Sequence, residues 1–162
     1  MHNALISENN EQLNYDITAH CWLNDENVIL GTKEGDLHVL NNECRWKLKL
    51  LEEDKNQYEV TCIICIYKGF IVGYANGRIQ IYHENKDAEK KENKRQPYVL
   101  TKPLDVTTGD DINLVKIRDM SVSPSSDQEN LICLTSTNLI YKIKLEKDQD
   151  DIEEPKFEMI SS

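Results

Sequence analysis

Basic residues are scarce in this 162-residue chain. Nineteen Lys and Arg stand against 29 Asp and Glu, a formal net charge of −10, with a pI near 4.9. A nucleic-acid binder needs a basic stripe to displace phosphate counterions, so this balance argues against that class. Long apolar runs are also missing. None approaches the ~20 residues that would cross a bilayer as a helix, and residues 1–10 lack the charged and apolar blocks of a signal peptide. Glycine is limited to six residues, and no Gly-x-Gly-x-x-Gly phosphate loop occurs. Five cysteines (21, 44, 62, 65 and 133), odd in number and scattered, do not make a disulfide framework. The expectation is a soluble chain of a reducing compartment, with no membrane or nucleic-acid partner.

What is present is a core and a repeat. Hydrophobic residues make up 39% of the chain, enough to bury an interior. Residues 27–40 (NVILGTKEGDLHVL) match 69–82 (GFIVGYANGRIQIY) at a spacing of 42, with Gly31 on Gly73, Gly35 on Gly77 and Leu37 on Ile79. A third copy at 130–143 (NLICLTSTNLIYKI) lacks both glycines. Its first strand aligns with Leu131 on Phe70. Its second strand fits better when shifted by one position, with Ile143 on Ile81, which implies a slightly longer turn.

Each copy reads as two strands around a tight turn. The short runs Val28–Leu30, Phe70–Val72 and Leu131–Leu134 suit strands better than helices. Glu34-Gly35, Asn76-Gly77 and Thr137-Asn138 supply residues that tolerate positive φ. A further strand precedes each hairpin (17–23, 60–67, 114–122), and a more polar fourth follows it (46–51, 98–104, 156–160). Four antiparallel strands per unit, with apolar residues on both sheet faces, predict the blades of a β-propeller. The fold class expected is all-β, about three blades of an incomplete propeller. Blades are expected at 14–54, 58–104 and 112–162. Residues 1–13 form an N-terminal connection, either disordered or the outer strand of a preceding blade. Residues 84–96 carry nine charges in thirteen positions and are expected as a solvated loop between the third and fourth strands. The acidic stretch 146–154 holds the corresponding place in the last blade.

Catalytic chemistry finds little support. Cys62 and Cys65, three apart on a strand, face opposite sides about 10 Å apart and cannot share a zinc ion. These two, with Cys21, Cys44 and Cys133, are expected as small buried hydrophobes. His2, His20, His38 and His83 are isolated and read as structural or exposed. Ser123-Pro124-Ser125-Ser126 lacks the setting of a nucleophile elbow. The carboxylates at 52–54 and 110–111 fall in polar connections, where they act as solubilising charges rather than as an acid–base couple. Trp22 and Trp46 lie on predicted strands and are expected to pack within blades, with exposure at a partner interface as the alternative. No catalytic, cofactor or metal residue is assigned.

The residues also carry a family likeness. Segments 17–22 (ITAHCW), 28–32 (VILGT), 35–37 (GDL), 44–46 (CRW), 68–70 (KGF), 121–124 (SVSP), 136–138 (STN) and 154–158 (EPKFE), in that order, resemble the WD-repeat family, in particular its ciliary and flagellar members. The Trp-Asp dipeptide that usually ends the third strand is replaced by Asn41-Asn42 and His83-Glu84, and the Gly-His pair ahead of the first strand is missing. The resemblance implies a non-catalytic scaffold of the ciliary or flagellar axoneme that helps to position inner dynein arms on doublet microtubules. Its partners would be other axonemal proteins, together with the remaining blades of a longer chain. The alternative is a peptide-binding adaptor of a non-ciliary complex. A propeller enzyme would need acidic metal ligands converging on a central channel, and nothing in the chain suggests them. Closed propellers use four to eight blades, so three describe a part of one.

Overall fold

Alternation and turn chemistry resolve into strands throughout the computed structural model, which describes residues 3–7, 12–50, 58–85, 97–100, 104–105, 115–124, 130–145 and 157–161. The first sheet contains β1 (Asn3–Ser7), β2 (Gln12–Tyr15), β3 (Ile17–Trp22), β4 (Asn27–Thr32), β5 (Leu37–Asn41) and β6 (Arg45–Lys49), in the order β2-β1-β6-β5-β4-β3. The second contains β7 (Val60–Ile66), β8 (Gly69–Tyr74), β9 (Arg78–Glu84) and β10 (Tyr98–Leu100), with β11 (Leu104–Asp105) also pairing β9. The third contains β12 (Ile117–Val122), β13 (Asn130–Thr135), β14 (Ile140–Lys144) and β15 (Phe157–Ser161) in sequence order. Each sheet holds an antiparallel run of strands in chain order, and β7 packs between β3 and β12. These are three blades of an open propeller, with β3, β7 and β12 innermost.

Several details depart from the sequence expectations. The turn of the third copy is no longer than the others: Leu134 pairs with Ile140 as Gly73 pairs with Ile79 and Gly31 with Leu37. Ile143 therefore falls on Tyr82, not on Ile81. Asn138 takes the left-handed φ of 64° where Gly35 and Gly77 have 92° and 84°. Asparagine is one of the few residues that visits this region readily, so it replaces the glycine without lengthening the turn. The fourth strand of the second blade is two short strands rather than one. Residues 1–13 supply β1 and part of β2, and β1 pairs in parallel with the edge of β6, which would otherwise be left open. The charged loop and the acidic stretch lie outside the described residues, apart from Glu84 and Asn85, as do Leu114 and Lys156.

Every inner strand carries a bulge at its start, opposite the same point of its partner. The register slips between Ile17 and Ala19, between Val60 and Cys62, and between Ile117 and Asp119. The extra residues are thus Thr18, Thr61 and Arg118. Thr61 donates its hydroxyl to the Gly73 carbonyl oxygen at 3.0 Å. Thr18 lies 3.4 Å from the matching Gly31 oxygen and donates across the seam to the Val60 oxygen at 2.5 Å. The bulges bend each inner strand and re-aim these side chains.

The repeat glycines Gly31 and Gly73 serve the seams between blades. A Cβ built on Gly31 would overlap Val60, and one on Gly73 would lie 2.7 Å from Ile117 Cγ2 and from Cys62 Sγ. Val60 and Ile117 hold the same place in successive inner strands. Each glycine is a notch that receives the branched side chain of the next blade. Around the first notch, Ile29, Leu37 and Val39 pack with Val60, Phe70 and Val72. Around the second, Ile71 and Ile79 pack with Ile117, Leu131, Cys133 and Ile143. A smaller cluster of Val28, Leu30 and Leu40, on the opposite face of the first blade, packs with Tyr15 and Ile17.

Candidate protein-docking surface

Polar residues within the blades are committed to structure. The Asn41 side chain accepts from the backbone N–H of Glu43 at 3.0 Å and of Arg45 at 2.9 Å. It thereby fixes the turn in which Cys44 takes a φ of 60°. This asparagine stands where the family's Trp would be, and it caps a turn instead. Gln80, fully buried, accepts from the hydroxyls of Tyr74 at 2.6 Å and Tyr82 at 3.1 Å. Tyr82 in turn stacks on Phe70. His38 is buried beside Tyr15, with ring centroids 4.3 Å apart. Burial lowers its pKa to about 4, Asp36 opposing the shift and Lys49 adding to it. A buried neutral imidazole is a packing element.

Burial sorts the cysteines, and it corrects the expectation that all five are small buried hydrophobes. Cys133 is buried, Cys21 and Cys62 are partly buried, and Cys44 and Cys65 are exposed. Cys44 sits in a polar turn and Cys65 near a strand end, where the core does not reach. Cys62 and Cys65 do face opposite seams: Cys62 packs toward the third blade, whereas Cys65 Sγ lies 3.5 Å from the Leu23 carbonyl oxygen in the first. Burial pushes the thiols of Cys62 and Cys133 up to about 11. Among the described residues no group of three His, Cys, Asp or Glu is placed to hold a metal ion.

His20 is exposed and His83 half-buried, the latter with its pKa lowered by burial. His2, the carboxylates at 52–54 and 110–111, and the side chain of Trp46 lie outside what is described. Ser123 is structural, its hydroxyl 3.4 Å from the Asn130 N–H. Ser125 and Ser126 are also undescribed.

Among the exposed large hydrophobic side chains, Trp22, Tyr67 and Ile132 mark two surfaces. The first lies where the inner strands of the first two blades end together. Trp22 is 55% exposed and Tyr67 74% exposed, which corrects the expectation that Trp22 packs within its blade. It is the last residue of β3 and passes beyond the sheet's cover. Trp22, Leu23, Asn24 and Asp25 line a shallow depression of about 420 Å³. The Asn24 side chain holds this loop by accepting from the N–H groups of Glu26 at 2.8 Å and Asn27 at 2.9 Å. Beside it, the Lys68 ammonium lies 5.4 Å from the Tyr67 ring centroid, within the range of a cation–π contact. Such aromatic anchors on a rigid loop suit protein recognition.

The second surface is the outer face of the third blade. Ile29, Ile71 and Ile132 occupy equivalent positions, and the first two face the blade that follows. The first two are fully buried, whereas Ile132 is 43% exposed. Leu134, at the position of the notch glycines, is only partly covered, as is Ile140 opposite it. Lys142 and Lys144 flank this patch on β14, opposite Ile132 and Asn130.

Pattern reasoning missed the bulge threonines and the notch role of Gly31 and Gly73. The dipeptides Ile17-Thr18 and Val60-Thr61 recur at a spacing of 43, one more than the hairpins, and that offset was the available signal.

No protein-family profile matches the chain. Over 70 residues it is 31% identical to Cilia- and flagella-associated protein 57 A of Tetrahymena thermophila, a match covering 43% of this chain and 5% of that protein. The matched part is thus a small fraction of the relative's length. Among solved structures, the chain is similar to the β-propeller domain of Cps50 (Swd1) of Myceliophteria thermophila. The TM-score is 0.59 at 12% identity, covering 83% of this chain and 46% of that one. It is also similar to the structure of U3-55K, with a TM-score of 0.49 at 13% identity over 77% and 38% of the two chains. The Cps50 likeness shows the propeller fold and, by its coverage, that this chain amounts to part of a propeller. In sequence the chain resembles ciliary WD-repeat proteins.

Proposed function

We propose that this chain is a non-catalytic scaffold segment of a ciliary or flagellar WD-repeat protein, acting in the axoneme. Its blades at 14–54, 58–104 and 112–162 form part of a larger propeller, and their rigid edges and loops hold other axonemal proteins. Through those contacts it helps to position inner dynein arms on doublet microtubules. The observation that carries this reading is the 31% identity over 70 residues to a cilia- and flagella-associated protein. The propeller fold and the exposed Trp22 and Tyr67 supply a surface suited to the role.

The test is to express the tagged chain, within its native polypeptide, in a ciliated cell and to fractionate isolated cilia. The expected outcome is retention in the detergent-extracted axoneme, reduced several-fold by Trp22→Ala with Tyr67→Ala. Recovery only from cell bodies would overturn the axonemal reading. The exposed aromatic loop also favours a second reading, a peptide-binding adaptor of a non-ciliary complex. That reading predicts cell-body recovery with a Trp22-dependent peptide partner.

A further inference from the structure

The seam between the first two blades carries a pair of thiols that the scaffold role does not use. Cys21 on β3 packs on the apolar cluster shared by the two blades. Its Sγ lies 3.4 Å from the Trp22 carbonyl oxygen, and the nearby Cys65 thiol adds to burial in raising its pKa. Cys65 on β7 crosses the same seam from the other side, its Sγ 3.5 Å from the Leu23 oxygen. The two inner strands also meet at their other end, where the Thr18 hydroxyl donates to the Val60 carbonyl oxygen. The end carrying the thiols is the open one: Cys65 is exposed and Cys21 partly so. A small oxidant can therefore reach them, whereas Cys133 in the second seam is buried.

We propose that Cys21 and Cys65 form a redox dithiol that closes to a disulfide when oxidised by hydrogen peroxide, stapling the first blade to the second. Cys65, the more exposed, attacks as its thiolate. The S–O bond forms as the O–O bond breaks, and the departing hydroxide takes up the proton the thiol released, giving a sulfenic acid and one water. The Cys21 sulfur then attacks the sulfenic sulfur, forming the S–S bond and releasing the second water. In sum, two thiols lose two electrons and two protons to one peroxide, which becomes two waters. Burial raises both thiol pKa values, so closure quickens as pH rises. A dithiol reductant reverses it.

The experiment treats the full chain with hydrogen peroxide, blocks remaining thiols with N-ethylmaleimide and maps unreduced proteolytic peptides by mass spectrometry. The expected result is a peptide pair joined through Cys21 and Cys65, two hydrogens lighter than the separate peptides. The thermal midpoint should rise by about 5–15 °C, because the bond closes a loop of roughly 45 residues in the unfolded chain, and should return on reduction. Cys21→Ser and Cys65→Ser each abolish both effects, while Cys62→Ser and Cys133→Ser leave them. Maleimide on both Cys21 and Cys65 after oxidation would overturn the proposal. So would a sulfinic acid at Cys65, or linkage confined to Cys62 and Cys133 or to a second molecule.

Discussion

The Thr18 hydroxyl donates to the Val60 carbonyl oxygen at 2.5 Å, joining the inner strand of the first blade to that of the second. Thr18→Val keeps the shape and removes the donor, leaving that carbonyl without this bond. The expected loss is about 1–3 kcal/mol in urea unfolding, with Thr18→Ser near wild type. Equal stability of wild type and Thr18→Val would show that the bond contributes nothing.

Gly73 receives Ile117, so adding one methyl should force the second seam apart. Gly73→Ala is expected to cost about 1–3 kcal/mol by overpacking. Adding Ile117→Ala makes room, and a double-mutant cycle should return a favourable coupling between the two changes. Strict additivity would mean that the notch is not a point of contact.

The equivalent isoleucines allow a comparison in which the chemistry is held constant. Ile71→Ala empties a filled seam and should cost about 2–5 kcal/mol. Ile132→Ala, on the uncovered face, should stay within about 1 kcal/mol. Chemical denaturation of both variants decides it, and equal losses would mean that the third blade's face is covered in solution.

Acid should weaken the first blade through His38. Unfolded, the imidazole titrates near its ordinary 6.5, whereas burial lowers it to about 4 in the fold. Between those values the unfolded chain binds the extra proton. The stabilising contribution is thus whole above pH 6.5, fades as pH falls toward 4 and is flat below. The size expected is about 3 kcal/mol. Urea midpoints followed from neutral pH down toward the folded-state value should fall less steeply in His38→Gln than in wild type. Parallel profiles would assign the acid sensitivity to other groups.

The strands and their turns were legible because alternation and positive-φ residues are local signals. Glu34-Gly35, Asn76-Gly77 and Thr137-Asn138 each stand where the sequence placed them. Ile143 misleads because apolar identity favours Ile81 as its match, whereas register is set by the turn. Tyr82 and Ile143 simply fill the same place with different shapes. The exposed Trp22 was illegible for another reason: strand propensity says nothing about where a sheet's cover stops. The notch role of Gly31 and Gly73 depends on contacts with a neighbouring blade, which no single repeat contains.

Tyr15 and Ile17 pack against Val28, Leu30 and Leu40 on the face of the first blade turned away from its seam with the second. Head-to-tail addition of one copy to another needs two complementary ends, and unless such contacts close into a ring they grow without limit. Among the described residues the two outward faces are not alike: Val28, Leu30 and Leu40 are buried beneath Tyr15 and Ile17, whereas Ile132 is exposed, so the two faces offer a partner different amounts of apolar surface.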